Sequence, residues 1–384
     1  MYSVRRQSDG TSFDVKVKSK GGFADSESQD TFCDKTKCVF DRIYDQTSFQ
    51  NHLGIAPAGG AHWQPDIPAD AASDPLYVGG HKVYGLRMDP PSGYRNDTTT
   101  GIAVGDAAET MYAVFNGTHY NDKCCFDYGN AETNNLDDGA ATMEALYFGN
   151  AKGGLNHGGA GKGPWIMADM ENALWGGDVV ESNEPLIDHP FVTAMIKGDE
   201  SKYIPAQDSN YTLSVDHGGF DMEPCGFSGC DLTKTSTHLD CEALCRNTSG
   251  CVGYVFADSS CSVSNLPICW TKSSWSEGKT HACRNSRLLY DVPGHWAIKG
   301  GNAMEGDLTV YFDGKRAPGY APMKKQGAII LGIGGDNSEG AVGTFYEGAM
   351  IRGYTSDATD NAIQSNIVNV RYGSSTTAVT AALS

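Results

Sequence analysis

The distribution of cysteine constrains this chain most. Eight of its twelve cysteines fall between Cys225 and Cys283, namely Cys225, Cys230, Cys241, Cys245, Cys251, Cys261, Cys269 and Cys283. The other four are Cys33, Cys38, Cys124 and Cys125. A short segment has a thin hydrophobic core and relies on covalent staples. The shift in composition therefore marks a small disulfide-stapled module, residues 204–292, inserted between 1–203 and 293–384 of a larger body. Eight cysteines can close their bonds within the module, and the partners of Cys225, Cys230, Cys261 and Cys283 stay open at this level. The four outside it allow three pairings. In "CDKTKC" a short turn lets Cys33 and Cys38 join easily, which leaves Cys124 and Cys125 only each other. That arithmetic favours a bond between sequence neighbours without proving it. The alternative is a pair of free buried thiols, because free Cys is readily buried. Such a bond is awkward. A disulfide normally joins Cα atoms about 4.4–6.8 Å apart, and consecutive Cα atoms sit about 3.8 Å apart across a trans peptide.

The cysteines also set the compartment, since dense disulfides belong to oxidising surroundings. Four N-x-S/T sequons, at Asn96, Asn116, Asn210 and Asn247, agree with a secreted glycoprotein. The opening "MYSVRRQSDG" lacks the apolar core of a signal peptide. The expectation is that the chain is a piece of a longer secreted product. A net charge of -18 argues against nucleic acid and anionic membranes as partners, because both require basic surface. No apolar run reaches the roughly 18 residues that a membrane-spanning helix needs.

The 384 residues include 47 glycines and few long helical runs. Short apolar or aromatic segments closed by turn residues recur: "KVYGLRM", "GTHYNDKCCFDY", "EALYFGN", "PWIMADM", "FVTAMIKG", "HWAIKGG", "DLTVYFDGK", "GAIILGIGG" and "GTFYEGAMIRG". This pattern predicts an all-β body, a two-sheet sandwich or jelly roll. One helix is predicted in "SDATDNAIQSNIVNVRY", capped by Ser356, with Ile363, Ile367 and Val370 at helical spacing.

Several motifs lead nowhere. "GGLNHGGAGKGP" places Gly163 where a phosphate loop needs Ser or Thr, and "GIGGDNSEG" fits no dinucleotide register. "NNLDDGAATME" has Leu136 at an EF-hand ligand position. There is no H-E-x-x-H and no G-x-S-x-G. Neither a metal nor a cofactor is expected. Acidic residues at strand ends are more informative. "WIMADMENALW" holds Asp169 and Glu171 two apart, which in a strand puts them on one face. "ILGIGGDNSEG" runs an apolar strand into a glycine turn and delivers Asp336 at its mouth. Two facing carboxyls suit glycoside hydrolysis.

"DTFCDKTKCVFDRIYDQTSFQNHLGIAPAGG", "GYRNDTTTGIAVGDAAETMYAVFNGTHYNDKCCFDYGNAET", "GPWIMADMENALW", "HWAIKGGNA" and "QGAIILGIGGDNSEGAVGTFYEGAMIRGY" closely resemble the catalytic domain of glycoside hydrolase family 54, the type B α-L-arabinofuranosidases. The resemblance covers nearly all of the chain outside the cysteine-rich module. It implies a concanavalin-like β-sandwich and a retaining mechanism. The glutamate of D-M-E-N, here Glu171, would be the nucleophile, and the aspartate of G-G-D-N, here Asp336, the general acid/base. Their carboxyls would then stand about 5–5.5 Å apart. It also implies a vicinal disulfide, Cys124–Cys125, as an apolar platform for the furanose, with Asp169, Asn172 and Gly335 binding sugar hydroxyls. The expected partners are arabinan and arabinoxylan of plant cell walls.

Three departures accompany the resemblance. Family members carry further residues and another cysteine pair ahead of this start. Their C-terminal arabinose-binding β-trefoil has no counterpart here. The loop "AKGGLNHGGAGKG" lacks the tryptophan that the family offers to the pocket. Within the insertion, "CEALCRNTSGCVGYVF" and "CWTK" resemble a PAN/Apple-like domain. That resemblance implies Cys241–Cys269 and Cys245–Cys251 bonds and a protein or glycan ligand. The competing readings are a carbohydrate-binding or adhesion protein without activity and a related glycosidase such as a β-xylosidase.

Overall fold

The computed structural model describes residues 1–152, 163–177, 187–203 and 215–375, apart from 223–224, 227, 234–235, 249–250, 262–264, 274–277, 293 and 318. It divides into two compact units. One comprises Met1–Asp199, Trp296–Gly314 and Lys325–Ser384, and the other comprises Glu200–His295 and Lys315–Lys324.

The larger unit is built on two sheets. The first has seven strands in the order Leu174–Trp175, Trp165–Asp169, Glu144–Gly149, Asp127–Ala131, Ala328–Leu331, Tyr94–Asn96 and Gly54–Ile55. The second has six, in the order Thr309–Lys315, His295–Asn302, Phe191–Gly198, Glu109–Asn116, Gly343–Arg352 and Leu86–Met88. Alternation along the strands assigns the faces. Phe126, Tyr128 and Phe148 from the first sheet's side meet Phe115 and Phe345 of the second, with ring centroids 5.2–5.6 Å apart for Phe115–Phe126, Phe115–Phe148 and Tyr128–Phe345. This aromatic layer is the sandwich core. The alternate residues, Asp127, Gly129, Ala145 and Asp169, turn to the opposite face of the seven-stranded sheet.

Most of the predicted segments are strands, and "FVTAMIKG" is one from end to end, Phe191–Gly198. "GTHYNDKCCFDY" is not. Its strand begins only at Asp127, and the cysteines lie in the connection from Glu109–Asn116. That connection is polar and Asn-rich, and its aromatic residues misled the reading. The strand "ETMYAVFN" was overlooked, although it is central in its sheet. It is buried along nearly its whole length, so it lacks a polar-apolar alternation. The predicted helix spans Asp357–Val370, and Ser356 accepts the Thr359 amide at 3.2 Å as its cap. Asp360, on this helix, takes Lys197 Nζ at 2.6 Å and Lys299 Nζ at 2.7 Å, which fastens it to the six-stranded sheet.

The smaller unit is connected through Phe191–Gly198 and His295–Asn302, which pair antiparallel with Gly198 opposite Trp296. It holds a four-stranded sheet in the order Cys230–Asp231, Ile268–Lys272, Gly253–Ala257 and Asn285–Leu288. Its helix His238–Arg246 starts from a Thr237/Asp240 capping box. Cys241–Cys269 ties helix to sheet, and Cys245–Cys251, Cys225–Cys230 and Cys261–Cys283 close the rest. Cys241, Cys245, Cys251 and Cys269 pack with Tyr254, Phe256 and Leu289 as its core. Cystine sulfur thus supplies much of the apolar volume that a unit this small lacks.

Candidate active site

Pairings across the seven-stranded sheet set Asp169 opposite Ala145, Ala145 opposite Gly129, and Gly129 opposite Ile330. Small residues in the middle of that row clear the sheet's outer face. Loops at both ends then fold over it and enclose a cavity of about 490 Å³. Cys124, Cys125, Asp169, Glu171, Asn172, Gly335 and Asp336 all line this cavity. The structure therefore brings together every pocket residue singled out in the sequence.

Glu171 is not in a strand, contrary to the reading of "WIMADMENALW". The strand ends at Asp169, which pairs with Leu174. Met170 to Ala173 form the two-residue hairpin turn between them, with the Met170 amide donating to the Ala173 carbonyl at 3.0 Å. Both central residues are left-handed, Glu171 at φ 61° and Asn172 at φ 59°. This is the type I′ geometry that matches strand twist and usually recruits Asn-Gly. Glutamate at its first position is costly, and strain of this kind gathers at functional sites. Asp169 Oδ1 accepts the Glu171 amide at 3.2 Å, and Asn172 Nδ2 donates to Asp137 Oδ1 at 3.1 Å, which fix the turn from both sides.

Asp336 follows the strand Ala328–Leu331, as its glycine turn indicated. Its own Oδ1 accepts the Ser338 amide at 3.0 Å, and the Gly334 amide donates to the Ser338 carbonyl at 2.9 Å. Gly335 is required by close approach. A methyl there would lie 3.0 Å from Glu171 Oε2 and overlap Glu132 Oε2.

Cys124 and Cys125 are joined across a cis peptide bond. Their sulfurs lie 3.7 Å and 3.2 Å from Asp169 Oδ2. Cys33 is bonded to Cys38, so all twelve cysteines are paired. Of the sequons, Asn96 lies in a strand with its Nδ2 on the His52 carbonyl, Asn116 ends a strand, and Asn247 caps the small unit's helix. Asn210 and most of the "GGLNHGGAGKG" loop lie outside the described residues.

Carboxyls crowd this wall of the cavity. Burial, then the charges of Glu132 and Asp169, pushes Glu171 up to about 10. Burial also raises Asp169 to about 7. Asp127, fully buried beneath, is raised well above the usual range, by burial first and by Asp169 second. Burial raises Glu132 as well. Burial and mutual repulsion therefore oppose ionising the whole cluster together.

Sequence reasoning missed three supporting residues. Asp127 opens the strand "DYGNA", whose odd-numbered positions face the cavity wall, and Glu132 directly follows it. Arg95, only 4% exposed, donates to the Gly335 carbonyl at 2.6 Å, to the Glu132 carbonyl and to Asp97. The period-two pattern could have found Asp127; nothing local marks Arg95, whose two carbonyl partners lie 37 and 240 residues away.

The chain matches the family described as alpha-L-arabinofuranosidase B, catalytic, over residues 1–218 and 271–373. It belongs to that family. The alpha-L-arabinofuranosidase B of Aspergillus niger is 39% identical over 382 residues, covering 97% of this chain and 57% of the relative. That of Aspergillus kawachii is 40% identical with the same coverage. The chain thus spans 57% of the length of these curated relatives. A GH54 arabinofuranosidase soaked with a cyclic sulfate inhibitor superposes with TM-score 0.68 at 39% identity, covering 97% of this chain and 59% of that one. An arabinofuranosidase complexed with arabinofuranosyl-α-1,2-xylobiose gives 0.69 at the same identity and coverage. The interval left unmatched by the family, 219–270, lies within the small cystine-rich unit.

Proposed function

We propose that this chain is a secreted, retaining α-L-arabinofuranosidase that releases terminal α-L-arabinofuranosyl groups from arabinan or arabinoxylan. The observation that carries the reading is the meeting of Glu171, Asp336 and the Cys124–Cys125 pair in one cavity of a chain in the arabinofuranosidase B family. The complex of a related enzyme with arabinofuranosyl-xylobiose supports the substrate class. The cystines and sequons support secretion.

Asp336 protonates the glycosidic oxygen as the bond to the anomeric carbon breaks. Glu171 attacks that carbon from the opposite face and forms an arabinosyl-enzyme. Asp336 then takes a proton from water, which displaces Glu171 and regenerates both groups with configuration retained. Glu171 must be ionised to attack, although its surroundings hold its pKa high. Burial is the largest cause of that rise, followed by the charges of Glu132 and Asp169, so a proton on either neighbour would remove one of the charges that oppose ionisation of Glu171. The flat sulfur pair offers an apolar surface to one sugar face, and Asp169, Asn172 and Gly335 offer polar groups to its hydroxyls. The cystine-rich unit, read as PAN/Apple-like, would take a protein or glycan ligand of its own.

Incubation with 4-nitrophenyl α-L-arabinofuranoside tests the proposal, with release of nitrophenol and arabinose as the expected result. A folded preparation that binds arabinoxylan without turnover would leave a carbohydrate-binding protein. Turnover of the xyloside alone would make the chain a β-xylosidase.

A further inference from the structure

Outside the catalytic cavity, His62, Asp66 and Glu339 form a further cluster of metal-ligating side chains among the described residues. His62 Nδ1 lies 3.2 Å from Glu339 Oε2 and 3.6 Å from Asp66 Oδ1. One donor atom from each residue fits within a span of 4.8 Å. The Asp66 side chain is fully buried, and those of His62 and Glu339 are 27% and 18% exposed. His62 Nδ1, Asp66 Oδ2 and Glu339 Oε2 are all buried without a hydrogen-bond partner. Although Nδ1 is close to Glu339, the in-plane direction of the ring nitrogen does not point at that oxygen well enough for a hydrogen bond.

We propose that His62, Asp66 and Glu339 bind one divalent first-row cation of the Zn²⁺ or Mn²⁺ type. Donors about 2.0–2.2 Å from a tetrahedral zinc lie roughly 3.3–3.5 Å from one another. The separations of 3.2 Å and 3.6 Å about His62 Nδ1 bracket that spacing. One imidazole with two carboxylates disfavours Ca²⁺ and Mg²⁺, which take oxygen donors. Asp66 Oδ1 also accepts Asn337 Nδ2 at 3.1 Å, an outer hydrogen bond of the kind that orients a ligating carboxylate. The partial exposure of His62 and Glu339 gives an entry path and room for a water ligand.

The placement gives the site a role. The Ala61 amide donates to the Asp336 carbonyl at 3.0 Å, and the Gly59 amide donates to the His62 carbonyl at 2.8 Å. His62 and Asp66 thus belong to one loop, and Asn337 and Glu339 to the segment that carries Asp336. A cation held by all three side chains would clamp these two loops together without entering the catalytic cavity. Its effect is on the stability of the Asp336 loop, whatever the substrate proves to be.

The full chain, stripped with EDTA, is titrated calorimetrically with ZnCl₂, MnCl₂ and, for contrast, CaCl₂, and its melting is followed in parallel. One equivalent of Zn²⁺ or Mn²⁺ should bind and raise the melting temperature, and Ca²⁺ should do neither. His62→Gln and Glu339→Gln should each weaken binding at least ~10-fold, whereas His281→Gln, in the other unit, should leave it unchanged. His62→Gln replaces a partly exposed side chain with a neutral polar one, so the variant is expected to fold. Failure to bind a stoichiometric cation, or a melting shift that persists in both variants, would overturn the proposal.

Discussion

Arg95→Met removes a buried cation that donates to both the Gly335 and the Glu132 carbonyls. The side chain of Arg95 is fully buried, and its fork serves the Gly335 carbonyl, the Glu132 carbonyl and Asp97. Hydrogen bonds to a charged group contribute about 1.5–3 kcal/mol each, and a buried acceptor left without its donor bears the desolvation cost. The two carbonyls then set the loss at about 3–5 kcal/mol. Asp97, whose side chain is 29% exposed, adds little, because water replaces its partner. Urea unfolding should therefore show Arg95→Met destabilised by about 3–5 kcal/mol, against about 1 kcal/mol or less for Asp97→Asn. Arg95→Lys should fall between them, since a point charge cannot serve both carbonyls at once. Activity should drop more steeply than stability at a temperature where the variant is folded. Gly335 adjoins Asp336, and a misplacement near 1 Å in such a group can cost about 100-fold in rate. An Arg95→Met protein within about 1 kcal/mol of wild type and with unchanged kcat/KM would refute the clasp, and with it the account of how Gly335 is held beside Glu171.

Four further outcomes are expected. Glu171→Gln should abolish turnover of every arabinofuranoside, whereas Asp336→Asn should spare activated leaving groups and lose natural linkages most; equal losses on both substrate types, with azide rescuing neither variant, would count against these roles. Replacing Cys124 and Cys125 together by Ser should weaken arabinose binding by about 1–3 kcal/mol in titration calorimetry and leave the melting temperature nearly unchanged, because the loop they close is minimal. Gly335→Ala should lower kcat through collision with Glu132 and Glu171, and a crystal structure with an undisturbed Glu171 carboxylate would exclude that cause. Burial holds Asp169 near 7 against an ordinary 3.8, so the native state binds more protons than the unfolded chain between those values and stability falls as pH rises through them; Asp169→Asn should remove up to about 4 kcal/mol of that fall, and identical pH–stability slopes in variant and wild type would disprove it.

Strands that alternate or end in glycine could be read from the chain, because local sequence carries the signal that forms them. "ETMYAVFN" could not, since burial on both faces erases alternation. The site divides in the same way. Asp336 was legible because the glycines after Leu331 announce a turn. The place of Glu171 was misread because the type I′ turn that presents it is written Glu-Asn rather than Asn-Gly, and nothing local betrays a left-handed glutamate. Arg95, Glu132 and Asp127 act only through contacts that the fold creates. The partner of Asp127 is Asp169, two strands away, and that of Arg95 is a loop at the far end of the chain. Residues of this sort carry no motif because their function is to support one.

The arrangement around Glu171 combines a rigid backbone with a crowd of buried carboxyls. A nucleophile on a strand would be held by ladder hydrogen bonds, with its side chain standing from the sheet in the same row as Asp127 and Asp169. The left-handed turn instead lifts Glu171 two residues beyond the strand end and leaves Asp169 beneath it as an acceptor for its amide. The amide bond helps to hold one oxygen of Asp169 in place, and the other faces the sulfurs of Cys124 and Cys125. Disulfide sulfur has no proton to donate, so a proton on that oxygen costs no hydrogen bond and an ionised one finds no donor among the sulfurs. Asp127 lies deeper, and both its oxygens lack donors, which favours the neutral form there most strongly. Burial and mutual repulsion thus raise all of these carboxyls, Glu171 to about 10 and Asp169 to about 7. On the proposed mechanism Glu171 must give up its proton to attack, and relief of the neighbouring charges of Glu132 and Asp169 lowers the cost of that step.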